Sequence, residues 1–306
     1  MRAISGRSAT PPTPRSAVWS EAMTHPARRR SVLYVPASNS KAMAKTASLP
    51  CDAVIFDLED AVAPEARPAA RENLLAHFRD APSNTGQERV IRVSLSAGGV
   101  DADDVALVGR CRPDAMLVPK VDSAQMLRAA RATLDKAGGR DIALWAMIET
   151  PRAIVRLRDI TECDDVGLAC LVAGTNDLSK ETGVTLPEGQ ATMAQWLALL
   201  VVHARAAGID VLDGVYNDFA DMDGFAAACR AGAASGFDGK TLIHPRQIEA
   251  ANAAFSPSAA EVAQARAIVA AFARPENAGK GVIALDGRMV ELLHLDIARR
   301  TLAKAD

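Results

Sequence analysis

Six carboxylates stand where short apolar runs end: Asp57, Glu59 and Asp60 after AVIF, Glu149 after IALWAMI, Asp177 after GLACLVAGTN, and Asp213 after GIDVL. Clustered carboxylates raise one another's proton affinity unless a cation neutralises them. Any chain leaving a buried segment turns polar, but that alone gives a mixture of Lys, Ser, Gly and Asn shared by both ends. The acidic excess on one side points to a bound divalent cation. His244 is the single histidine at such an end, and no cysteine joins the set. All-oxygen donors favour Mg²⁺ or Mn²⁺ over zinc. Mg²⁺ takes one or two carboxylates and leaves its other positions to water and substrate oxygens. Glu149 and Asp177, ending consecutive runs, are the predicted ligand pair. Glu59 and Asp60 are predicted to hold metal-bound waters or to orient neighbouring Arg and Lys. Arg92 is the expected anchor for a substrate carboxylate, through the bidentate geometry of a guanidinium; a structural ion pair is the competing role. Lys120 is expected beside the substrate as an electrostatic partner of the carboxylates, and it is the lysine that could supply a Schiff base.

The elements that must position these groups are legible as a rhythm. Eight runs read as strands: SVLYVPA (31–37), AVIFDLE (53–59), RVIRVSL (89–95), AMLVPK (115–120), IALWAMIE (142–149), GLACLVAGTND (167–177), GIDVLDGV (208–215) and GKTLIH (239–244). Ala-rich stretches of helical period alternate with them. The runs are nearly unbroken apolar, as strands buried on both faces should be. Strand–helix alternation implies parallel pairing with right-handed crossovers. Eight units in about 215 residues fit a (β/α)₈ TIM barrel, an α/β fold whose chemistry lies at the carboxy-terminal ends of its strands. The rival, a doubly wound open sheet, announces itself with a glycine fingerprint after its first strand, where this chain reads VPASNSK.

Composition narrows the class. The 306 residues are 49% apolar and 24% charged, with a formal net charge of −2, ordinary values for a globular protein and not those of a nucleic-acid-binding polycation. The stretch Ala191–Val202 is too short to cross a bilayer. Five cysteines without a CxxC pair are neither an even disulfide framework nor a zinc site; they read as core fillers in a reducing, cytoplasmic setting. Residues 1–29 read as a disordered, basic, Pro-rich leader. It suits a solvated tail or a start upstream of a true initiator at Met23; a transit peptide to an organelle matrix is the alternative. The catalytic barrel is assigned to residues 30–274. The segment 275–306 is read as an appended lid and oligomer contact.

Taken together in order, RRSVLYVPASNSKAMAK, CDAVIFDLEDAVAPEARPAAREN, RVIRVS, MLVPKV, AMIETPRAI, LVAGTNDLSKETG, GIDVLDGVYNDFADMDG, GFDGKTLIHPRQIEAANAAF and LDGRMVELLH resemble the citrate lyase β-subunit-like branch of the HpcH/HpaI aldolase superfamily, which includes malyl-CoA and citramalyl-CoA lyases. The resemblance implies a Mg²⁺-dependent TIM barrel, usually a trimer or hexamer, with Glu149 and Asp177 as metal ligands and Arg92 binding substrate. It implies reversible cleavage of a 3-hydroxyacyl-CoA such as malyl-CoA or citramalyl-CoA into acetyl-CoA and a 2-oxo acid, glyoxylate or pyruvate. Citryl-CoA or citryl-carrier cleavage, a free 2-oxo-acid aldolase, and a weakly catalytic ligand-binding paralogue remain as alternatives.

Departures from the pattern matter. The family's lid aspartate is replaced in Gly287-Arg288-Met289-Val290-Glu291, making Glu291 the expected acid/base, with His294 one turn on as a second candidate. VIRVS replaces the usual VIRVN, so Ser94 is expected to change the hydrogen bonding beside Arg92. Asp57-Leu58-Glu59-Asp60 lacks the histidine that follows this strand in free-acid aldolases, which favours CoA esters. Arg30, Lys41 and Lys45 are the expected cations for the CoA phosphates, with the helix start after Ser38-Asn39-Ser40 as a further phosphate site. The near-P-loop stretch Ala234–Thr241 lacks its first glycine and reads instead as the entry to strand eight. His244 is expected to be structural.

Overall fold

The computed structural model of the protein describes residues 28–80, 86–186 and 188–305. All eight predicted runs are strands: β1 Ser31–Pro36, β2 Ala53–Asp57, β3 Glu88–Arg92, β4 Ala115–Val118, β5 Ala143–Ile148, β6 Leu168–Ala173, β7 Asp210–Asp213 and β8 Gly239–Leu242. They close in chain order into one parallel barrel, β1 pairing with both β2 and β8. The α-helices of the barrel unit are α1 Ser40–Lys45, α2 Arg67–Asp80, α3 Ala102–Cys111, α4 Ala124–Lys136, α5 Pro151–Val155, α6 Leu157–Thr161, α7 Thr175–Thr182, α8 Gln190–Ala207, α9 Met222–Ala234 and α10 Ile248–Phe255, and α11 Ala259–Phe272 follows them in the chain. A two-residue-per-strand hairpin, Leu95–Ser96 with Gly99–Val100, decorates the β3 exit. None of the helices among the described residues is long and apolar enough to cross a membrane.

The unbroken apolar character of the strands has a direct cause. One set of alternate residues (Val32, Ile55, Val90, Leu117, Trp145, Val172 and Leu212) fills the barrel. The other (Leu33, Val54, Phe56, Ile91, Met116, Leu144 and Leu171) lies under the helices. Neither face is left for solvent, so neither can be polar.

Of the leader assigned to 1–29, residues 1–27 lie outside the described residues. Arg29 departs from that expectation and belongs to the barrel floor. Its guanidinium donates to Glu88 at 2.7 and 2.8 Å and to Asp210 at 2.6 Å, and lies 4.9 Å from the Trp145 ring centroid. These carboxylates at the strand starts neutralise it, which a reading of the basic run in isolation could not foresee. Gly239 makes room for it: a Cβ there would sit 1.8 Å from the Arg29 carbonyl oxygen.

Residues 264–305 form a second compact unit. Here Ala265, Ile268 and Ala271 of α11 share a core with Ile283 and Val290 of the antiparallel hairpin β9 Val282–Leu285 and β10 Arg288–Glu291. Leu295 and Ala298 of α12 Leu292–Ala305 complete it. The α11 face buries the hairpin.

Candidate active site

Strand register assembles the first half of the site. Pro36 pairs with Asp57, and Asp57 with Arg92, at the carboxy-terminal ends of β1, β2 and β3. Arg92 Nε and Nη2 donate to the two oxygens of Asp57, both at 2.6 Å. The fork expected to hold a substrate carboxylate therefore grips Asp57. The reason is simple: in-register neighbours ending adjacent strands meet before any ligand does. What Arg92 has left is Nη1, which lies 3.0 Å from Glu59, 3.4 Å from Asp60 and 3.6 Å from the Met147 sulfur. Asp57 also accepts the backbone N–H groups of Glu59 and Ala61 at 2.9 and 3.0 Å, which folds the turn after β2 over the ion pair.

Glu149 anchors the second half. It follows β5 directly, and the next residues start α5 at once: the Thr150 hydroxyl caps Ala153 N–H at 3.1 Å and Pro151 occupies the first turn. Its Oε1 accepts the Lys120 backbone N–H at 2.8 Å. Lys120 reaches that position with φ at 48°, a left-handed conformation that is costly for a residue with a side chain. Glu149 Oε2 is fully buried and has no hydrogen-bond partner among the described residues. Burial, with the neighbouring Asp177 carboxylate adding to it, pushes the Glu149 pKa up to about 7 against the Lys120 contacts. Gly174, which precedes α7, makes the close approach possible, since a Cβ there would fall 2.3 Å from Glu149 Cβ and 2.7 Å from Oε2. Gly174→Ala is accordingly expected to displace Glu149 and weaken divalent-cation affinity by about 10- to 100-fold, read by Mg²⁺ titration calorimetry.

Asp177 lies in the first turn of α7, where an acid also suits the helix dipole. That turn is braced by Asn176, which exchanges amide hydrogen bonds with Asn217 at 2.8 and 3.2 Å. A buried, unpartnered carboxylate oxygen beside a second carboxylate fits a hard divalent cation. Among the described residues no three His, Cys, Asp or Glu side chains gather as a metal cluster, and a two-carboxylate Mg²⁺ site does not need a third.

Between the halves, Lys120 Nζ binds Glu59 at 2.6 Å and faces Asp60 at 3.7 Å. Burial works against the ammonium, but the Glu59 hydrogen bond and the surrounding carboxylates hold its pKa above the ordinary lysine value. Burial raises Glu59 despite Arg92 and Lys120. Asp60 is lowered: burial opposes ionisation, and the contacts with Glu59, Arg92 and Lys120 outweigh it. Glu59 and Asp60 thus each contact both cations.

Other expected participants lie elsewhere. Arg30 precedes β1, at the opposite end of the barrel, where it pairs with Asp52 at 2.7 Å and Ser256 at 2.8 Å. This removes it from the group with Lys41 and Lys45, which are exposed on α1. Ser94 does not turn toward Arg92; its N–H and hydroxyl both bind buried Asp104, which Arg71 neutralises. Asp213, the last residue of β7, is paired with Lys240 at 2.6 Å. His244 caps the turn Pro245–Gln247 and stacks on Phe219 at 5.2 Å. In the carboxy-terminal unit Glu291 ends β10, and its N–H donates to His294 Nδ1 at 3.0 Å. All five cysteines are buried, and burial pushes the thiols of Cys51, Cys111 and Cys229 up to about 11.

The chain is similar to several known proteins. The family model for HpcH/HpaI aldolase/citrate lyase matches residues 30–245. The (3S)-malyl-CoA thioesterase of Cereibacter sphaeroides is 42% identical over 281 residues, covering 90% of this chain and 94% of that protein. The human mitochondrial citramalyl-CoA lyase is 30% identical over 291 residues, covering 90% and 85%. The crystal structure of CitE from Mycobacterium tuberculosis, in complex with magnesium, acetoacetate and coenzyme A, superposes with a TM-score of 0.72 at 28% identity, covering 90% of this chain and 97% of that one.

Proposed function

Because the chain belongs to the HpcH/HpaI aldolase/citrate lyase family, we propose that it is a Mg²⁺-dependent enzyme of malyl-type CoA thioesters, cleaving the bond between the hydroxyl-bearing carbon and the acyl arm. The products are acetyl-CoA and a 2-oxo acid, glyoxylate or pyruvate. The observation that carries this reading is the buried, unpartnered Glu149 Oε2 beside Asp177. These two carboxylates would hold the ion, which supplies a Lewis acid for the negative charge that develops on the oxo-acid oxygen.

The chain's own residues do the rest. Arg92 Nη1, kept in place by Asp57, attracts the substrate carboxylate and fixes which bond faces the reacting centre. Glu59 and Asp60 hold Arg92 and Lys120 charged and aimed. Glu291 is the acid/base of this reading, for the hydroxyl proton in cleavage or the acetyl proton in condensation, and Lys41 and Lys45 face the CoA phosphates. A homo-oligomer belongs to the same reading; light scattering checks it.

Thioester hydrolysis is the second reading, favoured by the 42% identity with malyl-CoA thioesterases. Incubation with Mg²⁺ and either malyl-CoA or citramalyl-CoA, with products separated by chromatography, divides the two. Acetyl-CoA with equimolar oxo acid supports cleavage; free coenzyme A with the hydroxy diacid supports hydrolysis. Turnover of free hydroxy acids or of citryl esters alone, or binding without turnover, would overturn both.

A further inference from the structure

Tyr34 is an inward-facing residue of β1, two positions before the strand's carboxy-terminal end. It follows Val32 on the inward face of β1, so its ring packs on the apolar interior of the barrel, and the Arg92 guanidinium lies 5.1 Å from the ring centroid. Its hydroxyl has a single hydrogen-bond contact among the described residues, the Met147 sulfur at 3.9 Å. Arg92 Nη1 lies 3.6 Å from the same sulfur. Two donors, one of them on a cation, therefore converge on a thioether, which is a weak acceptor.

Arg92 Nη1 also meets Glu59 at 3.0 Å and Asp60 at 3.4 Å, but the nearby carboxylates give the phenol hydroxyl no better acceptor than the sulfur. Both Asp57 oxygens are bound by Arg92 and by backbone N–H groups. Glu149 Oε1 accepts from Lys120, and Oε2 faces the proposed cation site. Burial keeps the phenol protonated and a donor. A buried donor without a good acceptor is destabilising, and a ligand that brings an acceptor relieves it.

We propose that Tyr34 is a specificity-determining residue: its hydroxyl and Arg92 Nη1 together form the subsite for one oxygen of the carboxylate of a short 2-oxo or 2-hydroxy acid. The inference rests on the function proposed above and deepens it. It also replaces the bidentate arginine anchor, which Asp57 precludes, with a split pair of donors from β1 and β3. A planar carboxylate suits the position, since one oxygen can turn to the cation beside Glu149 while the other meets the two donors.

The test is Tyr34→Phe, which keeps the ring, its packing and the guanidinium contact. Titration calorimetry with pyruvate and with glyoxylate, each in saturating Mg²⁺, is expected to show binding weakened by about 10- to 100-fold. Acetyl-CoA, which carries no free carboxylate, and Mg²⁺ itself are expected to bind wild type and variant alike. In turnover the KM for the thioester should rise by a similar factor while kcat changes far less. Unchanged oxo-acid affinity in the variant overturns the assignment and leaves the proposed function standing, and so does equal loss of oxo acid, acetyl-CoA and Mg²⁺. Wild-type protein that binds neither oxo acid in Mg²⁺ overturns the proposed function, and the assignment with it.

Discussion

Glu149→Gln is expected to abolish Mg²⁺ binding and to lower turnover by more than about 100-fold, the upper range for residues that merely orient a metal ligand. The amide keeps the shape of the side chain and can still accept the Lys120 N–H, so the loss isolates the charge of Oε2. The same carboxyl sets a pH signature. Its pKa in the folded protein is about 7 against an ordinary 4.5, so the native state holds the proton more tightly than the unfolded chain. The resulting stability is fully present below the ordinary value and is lost as pH rises through about 7, roughly 3 kcal/mol over that window. Melting temperature measured in EDTA should fall between about pH 5 and 8 for the wild type, and this component should vanish in the Gln variant and in saturating Mg²⁺. Matching profiles for the two proteins in EDTA would refute the account.

Asp57→Ala is expected to cost about 3 kcal/mol or more of stability, because it leaves the buried fork of Arg92 without its bidentate partner. Activity should fall as well, since Nη1 is aimed only while Asp57 holds the other edge of the guanidinium. The double variant Asp57→Leu with Arg92→Met should recover much of the lost stability without recovering turnover, as apolar replacement of a buried ion pair often does. Guanidinium denaturation and steady-state rates on the same samples check both halves. A double variant that is no more stable than Asp57→Ala would mean that the ion pair is not the source of the effect.

The barrel was legible because each strand is apolar on both faces and its periodicity needs no partner to be recognised. Glu149, Asp177, Arg92 and Lys120 were legible as rim groups because polar residues after such runs have nowhere else to go. Their pairing was not. That Arg92 would hold Asp57 depends on the register between β2 and β3, and that Lys120 would serve Glu149 through its backbone depends on a left-handed φ. Neither quantity is written in one-dimensional spacing. Arg30 was misplaced because a basic residue flanking a strand gives no sign of which end of the barrel it will occupy relative to Asp52. Tyr34 was missed for a different reason: within SVLYVP it reads as one more core residue, and only the parity Val32, Tyr34 marks it as inward-facing.

The five enclosed cysteines bear on how this protein can be assayed. Nucleophilic sulfur must be ionised and reachable, and in the native fold these side chains are enclosed, with three held near 11. A colorimetric disulfide reagent added to a running reaction should therefore register coenzyme A as it is liberated, over a quiet protein blank. Scission that delivers acetyl-CoA would leave the same cuvette colourless.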